Sequence, residues 1–465
     1  MVFSSTVFLF FYLPLVLLIY YMTPLKWRNA VLLVFNLIFY GWGEPVYLFL
    51  MIASTAIDYF LGIQIERHRE NRSMAKRILI ASILINIGTL FVFKYLDFVL
   101  QTLHNIPICS DIKPIGLALP IGISFYTFQK MSYVIDVYRG DASVQKRFVP
   151  FATYVTLFPQ LIAGPIVKYK DVDEQLTGRT HHFSNFASGI PIFTVGLAKK
   201  VLLANSIGLL WNTYLKGGAD QLSVVGAWLA ALAFTFQIYF DFSGYSDMAI
   251  GLGRMFGFEF MKNFNYPYIS DSVTDFWRRW HISLGTWFRE YVYIPLGGNR
   301  KGRKRWFLNI LLVWAATGIW HGASWNFLLW GLYYALILIL EKLFLGKLLD
   351  RCHKAVRILY TMFLVVIGWV IFGASTLTEC GGVLRAMFGG GAGWLQTADL
   401  YYLRTYGVLF AVMVIAATPV VSKLRLKLTP AAQKTVTLVL TVAGLIVSTA
   451  AIVNASYNPF LYFRF

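Results

Sequence analysis

The chain has 465 residues, of which 58% are hydrophobic, 17% aromatic and 14% charged, and its mean hydropathy is +0.61. That balance excludes a soluble globule and describes an all-α polytopic membrane protein. The net charge of +19 does not signal nucleic acid, because Lys and Arg gather in short loops between apolar runs.

Apolar runs of spanning length cover 3–21, 45–63, 78–93 with a short extension, 189–210, 224–242, 324–340, 358–374, 408–421 with flanks, and 436–453. Shorter runs at 30–40 and 307–320 bring the expected crossings to about eleven. No Lys or Arg precedes the first run and no cleavage-type site follows it, so the start does not read as a cleavable signal peptide. Basic clusters follow at Arg67, Arg69, Arg72, Lys76 and Arg77; at Arg300, Lys301, Arg303, Lys304 and Arg305; at Lys347, Arg351, Lys354 and Arg357; and at Lys423, Arg425, Lys427 and Lys434. All four lie on the cytoplasmic side if both termini are extracytoplasmic, which is the positive-inside arrangement. Cys109, Cys352 and Cys380 are scattered without metal-ligand spacing, and a disulfide between Cys109 and Cys380 is not expected. With no repeat and no linker, residues 1–465 read as a single membrane domain.

Two stretches break the spanning pattern. Residues 115–138 are interrupted by Pro120, Gly122, Gln129, Lys130 and Asp136, and residues 149–167 by Pro150, Pro159, Gly164 and Pro165. Broken backbone at membrane depth persists only where protein or a water-filled cavity satisfies it. Both read as re-entrant or discontinuous segments packed centrally, the alternative being kinked spans. Further along, Gln237, Asp241, Tyr245 and Asp247 close a span with amide, hydroxyl and carboxylate groups. Such groups more often pin a helix end than handle protons, and Lys199 and Lys200 are expected to snorkel or pair with an acid. The segment 241–305 is too aromatic for a loop. Trp277, Trp280, Leu284, Trp287 and Phe288 recur at helical spacing, which predicts a helix with one aromatic face, lying at or dipping into the inner interface.

Of the seven histidines, His68, His104, His181, His182 and His353 fall in loops or polar stretches and need no special role. His281 and His321 each follow a Trp where membrane-facing sequence turns round. A buried imidazole suits proton transfer near neutral pH or transient acyl carriage. Trp320, Trp325 and Asn326 supply donors nearby, and Asn326 is placed to orient an imidazole. There is no Gly-x-Ser-x-Gly elbow, no His-Glu-x-x-His and no phosphate-cradling loop, so hydrolase and nucleotide-driven chemistries lose support. No metal site is expected.

These residues carry a resemblance running nearly end to end. The opening Val2-Phe3-Ser4-Ser5, the Phe-Pro-x-Leu-x-Ala-Gly-Pro run at 158–165, Gly196-Leu197-Ala198-Lys199-Lys200, the run 240–247, Asp275-Phe276-Trp277-Arg278-Arg279-Trp280-His281, Gly318-Ile319-Trp320-His321-Gly322 and the ending 458–465 all contribute. Together they resemble the membrane-bound O-acyltransferase (MBOAT) family, in its bacterial alginate and peptidoglycan O-acetyltransferase branch. The resemblance implies a bundle of spanning helices plus re-entrant helices around a central tunnel. His321 matches the family's catalytic histidine, as base or acyl carrier, and His281 its second active-site histidine. Trp280, Trp320, Asn326, Asp241, Tyr245 and Gln237 are the expected supporting residues. The implied reaction moves an acyl group, acetyl in this branch, from a cytoplasmic thioester such as acetyl-coenzyme A to a hydroxyl outside. No cofactor is implied beyond that co-substrate. An extracytoplasmic partner resembling Ser-Gly-Asn-His hydrolases, working on a polysaccharide at a bacterial inner membrane, is implied too. The alternatives are D-alanyl transfer to teichoic acid within the same family and, from another class, a transporter or channel.

Overall fold

The computed structural model describes residues 1–455 and Leu461, and among them it is all-helical without a β-strand. The family-like ending at 458–465 therefore lies outside the described residues except for Leu461. Among the described residues eight helices are long and apolar enough to cross a membrane: Tyr47–Arg67, Arg72–His104, Phe183–Lys216, Val224–Met255, Trp325–Leu349, Lys354–Gly373, Thr397–Ala416 and Pro430–Asn454. Phe8–Met22 is apolar but shorter, and the helices Arg28–Gly41 and Arg303–His321 occupy the two short expected runs. One boundary needs correcting. The run expected at 408–421 is a helix that begins at Thr397 and stops at Ala416, with Val420–Leu426 a separate turn of helix. Pro419 lacks an N–H and disfavours a helical predecessor, and here the helix stops before it, although Pro191 is carried inside Phe183–Ala198.

The chain packs as two compact units, Met1–Phe193 with Ser246–Met261, and Thr194–Tyr245 with Lys262–Phe465. In the first unit, the segment expected to be re-entrant at 115–138 is an extended approach followed by the helix Ile123–Arg139, buried continuously from Ile123 to Val137. Asp97 holds the approach by accepting from the backbone N–H groups of Ile115, Gly116 and Leu117 at 2.7–2.9 Å. Gly122 turns the chain into the helix at φ 76°, where a Cβ would lie 2.7 Å from the Leu161 carbonyl oxygen. Inside, Asp58 accepts from Ser82 Oγ at 2.7 Å and Asn86 Nδ2 at 2.9 Å and pairs with Lys130 at 3.5 Å. A charge this deeply enclosed is tolerable only with such partners. The second broken stretch runs as Phe148–Thr156, a single turn Phe158–Leu161, and non-helical chain to Lys168, all of it buried from Pro150 to Tyr169. Asn36 Oδ1 takes the Phe158 N–H at 3.1 Å that the break at Leu157 releases. The Phe-Pro-x-Leu-x-Ala-Gly-Pro run is thus a buried turn, and an added Cβ at Gly164 would fall within 2.4 Å of Gln160 Cα.

In the second unit, Arg303–His321 and Trp325–Leu349 form a helical hairpin. Gly318 and Gly331 face one another so closely that a Cβ on either would lie 2.3 Å from a carbonyl oxygen of the opposite helix. Pro430–Asn454 is buried over only 6% of its most apolar window, which leaves nearly its whole apolar surface for lipid. A π-type turn at Lys199–Ala204 brings Lys200 onto Asp241 at 2.5 Å.

Candidate active site

The interfacial helix expected from the spacing of Trp277, Trp280, Leu284, Trp287 and Phe288 is two short helices, Val273–Arg279 and Ile282–Phe288. The break is His281, one of two non-glycine residues described with left-handed backbone (φ 45°). That conformation costs about 1–3 kcal/mol for such a residue. The chain at 263–265 sustains it: the Ile282 N–H donates to the Asn263 carbonyl at 3.0 Å, the Ser283 N–H to Asn263 Oδ1 at 3.1 Å, and the Asn265 N–H to the Arg279 carbonyl at 2.9 Å. The aromatic face is also interior, with Trp280, Leu284, Trp287 and Phe288 all buried. Spacing alone does not separate a face packed on protein from one packed on headgroups. The Val273–Arg279 helix is anchored at its start by buried Glu341, which accepts from the N–H groups of Val273 and Thr274 at 2.7 and 2.8 Å and from the Thr274 hydroxyl at 2.6 Å.

His281 and His321 line one cavity of about 530 Å³, together with Trp280, Trp277, Thr317, Trp314 and Thr274, and with Arg278, Arg289 and Tyr293. Both imidazoles are buried. His321 ends its helix beside Gly322, and its ring packs edge-on to Trp330 (5.0 Å, 84°) and Phe372 (5.3 Å, 80°). His281 packs edge-on to Phe242 at 4.7 Å. Trp320 touches both imidazoles, its centroid 5.0 Å from His321 and 6.1 Å from His281.

The hydrogen bonds assign the tautomer of His281. Asn263 Oδ1 already receives the Ser283 N–H and, at 2.9 Å, the Ser283 hydroxyl. An oxygen facing a backbone N–H is an acceptor, so His281 Nδ1, 3.2 Å away, must be the donor. Nε2 then carries the lone pair and has no hydrogen-bond partner among the described residues. Burial pushes this imidazole, which lies outside the spanning helices, down to about 3, so it stays neutral. A neutral Nε2 lone pair accepts a proton or hydrogen bond and cannot polarise a carbonyl. Donors exist close by: the Trp277 indole N–H is buried without a partner in a residue that lines the cavity.

The other expected residues fall elsewhere. Asn326 donates Nδ2 to the Ala374 carbonyl at 2.6 Å, and the orienting amide at His281 is Asn263. Asp241 pairs with Lys200 at 2.5 Å and accepts the Leu461 N–H at 3.0 Å, a pinning role. Gln237 and Tyr245 are buried, and Gln237 packs on Gly208 so closely that a Cβ there would lie 2.2 Å from its Nε2. Neither lines the cavity. Arg279 pairs with Asp275 at 2.9 Å, as expected of a structural arginine, whereas exposed Arg278 lines the cavity. Asn263 and Thr317 were not singled out by sequence. Asn263 lies eighteen residues before His281 in an irregular stretch, where no periodicity marks it. Among the described residues no three His, Cys, Asp or Glu side chains form a metal-holding group.

Comparison with known proteins adds independent information. Residues 141–378 match the model of the membrane-bound O-acyltransferase family. The chain is similar to a probable alginate O-acetylase of Azotobacter vinelandii, 42% identical over 90% of this chain and 84% of the relative. It is similar also to a probable alginate O-acetylase of Pseudomonas putida, 40% identical over 100% of both chains. A peptidoglycan O-acetyltransferase of Helicobacter pylori is 34% identical over 84% of this chain and 80% of its own.

Proposed function

The chain belongs to the membrane-bound O-acyltransferase family, in its bacterial O-acetyltransferase branch, and from that membership we propose that it moves an acetyl group from a cytoplasmic thioester to a hydroxyl outside, for modification of a cell-surface or extracellular polysaccharide. It is a multi-pass membrane enzyme. The observation that carries the reading is the single cavity shared by His281 and His321.

In this mechanism His321 takes the proton of the acceptor hydroxyl as its oxygen attacks the thioester carbonyl carbon. The carbonyl oxygen gains negative charge, which an indole N–H from Trp277 or Trp280 stabilises in a site shielded from water. Collapse breaks the C–S bond, and the leaving sulfur receives the proton from His321. If His321 instead attacks first, its nitrogen bonds to the carbonyl carbon as the C–S bond breaks, and the proton on its other ring nitrogen passes to the leaving thiolate; the acceptor oxygen then attacks the acyl-imidazole, the C–N bond breaks, and the hydroxyl proton returns to the imidazole. His281, with its lone pair on Nε2, holds the incoming hydroxyl or thiol by accepting from it. Exposed Arg278 and Arg289 beside the cavity suit a polyanionic donor such as acetyl-coenzyme A. The basic loop clusters support a cytoplasmic donor side and extracytoplasmic termini at an inner membrane. A Ser-Gly-Asn-His hydrolase-like partner outside would then complete delivery to the polysaccharide.

The test is donor turnover by purified protein in proteoliposomes, offering acetyl-coenzyme A and, separately, a D-alanyl-carrier thioester. His321→Ala should abolish acetyl transfer while the protein stays folded, and His281→Ala should reduce it less. Full activity of folded His321→Ala, or turnover of the D-alanyl donor alone, rejects the proposal.

A further inference from the structure

The first unit gathers positive charge at a place the acyl-transfer reading does not use. Tyr20, buried at the end of the Phe8–Met22 helix, is the hub. Its hydroxyl lies 2.9 Å from the Phe256 carbonyl, 3.0 Å from Arg179 Nε and 2.7 Å from His181 Nε2. The carbonyl can only accept and the guanidinium only donate, so the one phenolic proton goes to Phe256 and His181 Nε2 must also donate. That leaves the His181 lone pair on Nδ1, a buried atom with no partner. Arg28 lies over the same ring at 5.0 Å, and its Nη1 is likewise buried without a partner.

Among the described residues neither guanidinium meets a carboxylate. Arg28 donates to the carbonyls of Thr23 and Tyr21, Arg179 to those of Gln175 and Leu176, and Phe258 lies 4.5 Å beneath Arg179. Gly257, at φ 82°, leaves the space: a Cβ there would lie 3.2 Å from His181 Nε2 and 3.4 Å from Arg179 Cδ. Burial first, and then the nearby Arg28 and Arg179 charges, push the His181 imidazole down to about 4. Large apolar side chains are exposed in the same segments, beside exposed Lys26 and His182: Phe183 is 82% exposed, Met22 76%, Leu25 67% and Trp27 58%. Large apolar and aromatic side chains beside basic ones mark the lipid–water boundary.

We propose that Arg28, Arg179 and His181 form a binding site for a phosphate group, that of an anionic lipid headgroup or of a soluble phosphate ester. Phosphate oxygens accept charge-assisted hydrogen bonds from the two guanidiniums, at Arg28 through Nη1, and His181 gains a proton at Nδ1 to become a third donor. The apolar rim favours the lipid source.

The test uses the full-length protein in neutral detergent with two probes. One is phosphatidylglycerol, read by adducts retained in native mass spectrometry; the other is inorganic phosphate, read by titration calorimetry. Wild type should bind at least one, and Arg28→Gln with Arg179→Gln should weaken that binding about a hundredfold, roughly tenfold for each guanidinium removed. Lipid binding alone identifies a headgroup site, and phosphate binding alone a soluble ester. Should the double variant fail to fold, His181→Gln, which keeps both arginines, should still weaken binding several-fold. Wild type that binds neither probe overturns the proposal. So does any folded variant of the set that binds, as tightly as wild type, whichever probe wild type binds.

Discussion

Replacing Asn263 tests the tautomer argument for His281. Its Oδ1 accepts from His281 Nδ1 at 3.2 Å, the Ser283 N–H at 3.1 Å and the Ser283 hydroxyl at 2.9 Å. The hydroxyl can rotate away and the Ser283 oxygen lies 3.4 Å from His281 Nδ1, so Asn263→Ala strands one buried donor, the Ser283 N–H, at about 1–3 kcal/mol. The freed imidazole can then carry its proton on Nε2, and donor turnover should fall about tenfold or more if the lone pair matters there. Asn263→Asp discriminates further, because it keeps an acceptor and adds a negative charge. His281 is held down at about 3 against a usual 6.5, so the wild-type ring stays neutral across about pH 5 to 8 and gives no acid limb there. Below 6.5 the unfolded chain binds a proton that the folded ring refuses, so this group's penalty grows as pH falls towards 3 and vanishes above 6.5. In Asn263→Asp the carboxylate raises the ring's pKa, and turnover should decline as pH drops through the raised value. The assay is thiol release from acetyl-coenzyme A by reconstituted protein across that range, with melting temperature alongside. Wild-type rates and an unchanged pH profile in both variants would refute the reasoning.

Other substitutions test the cavity and its frame. Gly285 lines the cavity and a Cβ there would meet only the Trp277 carbonyl oxygen, 3.9 Å away. Gly285→Leu should therefore fold normally yet raise KM for the thioester; unchanged kinetics would count against the cavity as the donor site. Gly318→Ala drives a Cβ to 2.3 Å from the Phe327 carbonyl oxygen, and the overpacking should cost about 1–3 kcal/mol, read as a lower melting temperature. Asp241→Asn leaves Lys200 buried without its carboxylate, a loss of about 3–5 kcal/mol. Lys200→Met with Asp241→Leu should recover part of it by removing both charges, and thermal unfolding of both variants checks this.

Much of the helix inventory was legible because lipid leaves the backbone few options: long apolar runs must be helices, and Pro and Gly mark where they break. The central packing of 115–138 and 149–167 was legible for the same reason. The break at His281 was not. Its flanking residues keep helical spacing, and the competing hydrogen bonds come from Asn263, which carries no periodic signal. Asn326 likewise makes a contact that no local pattern foretells: its amide donates to the Ala374 carbonyl forty-eight residues away.

The residue order by itself determined the membrane class, the helical segments and the two tryptophan-flanked imidazoles, since each rests on local composition and on the cost of placing polar groups in hydrocarbon. Only the tertiary structure decided that His281 and His321 open onto one cavity, that Asn263 sets the proton on one of them, and that Asp241 serves as an anchor. Those outcomes depend on which donors and acceptors meet across distant segments, and a lone pair is directed by its neighbours in space.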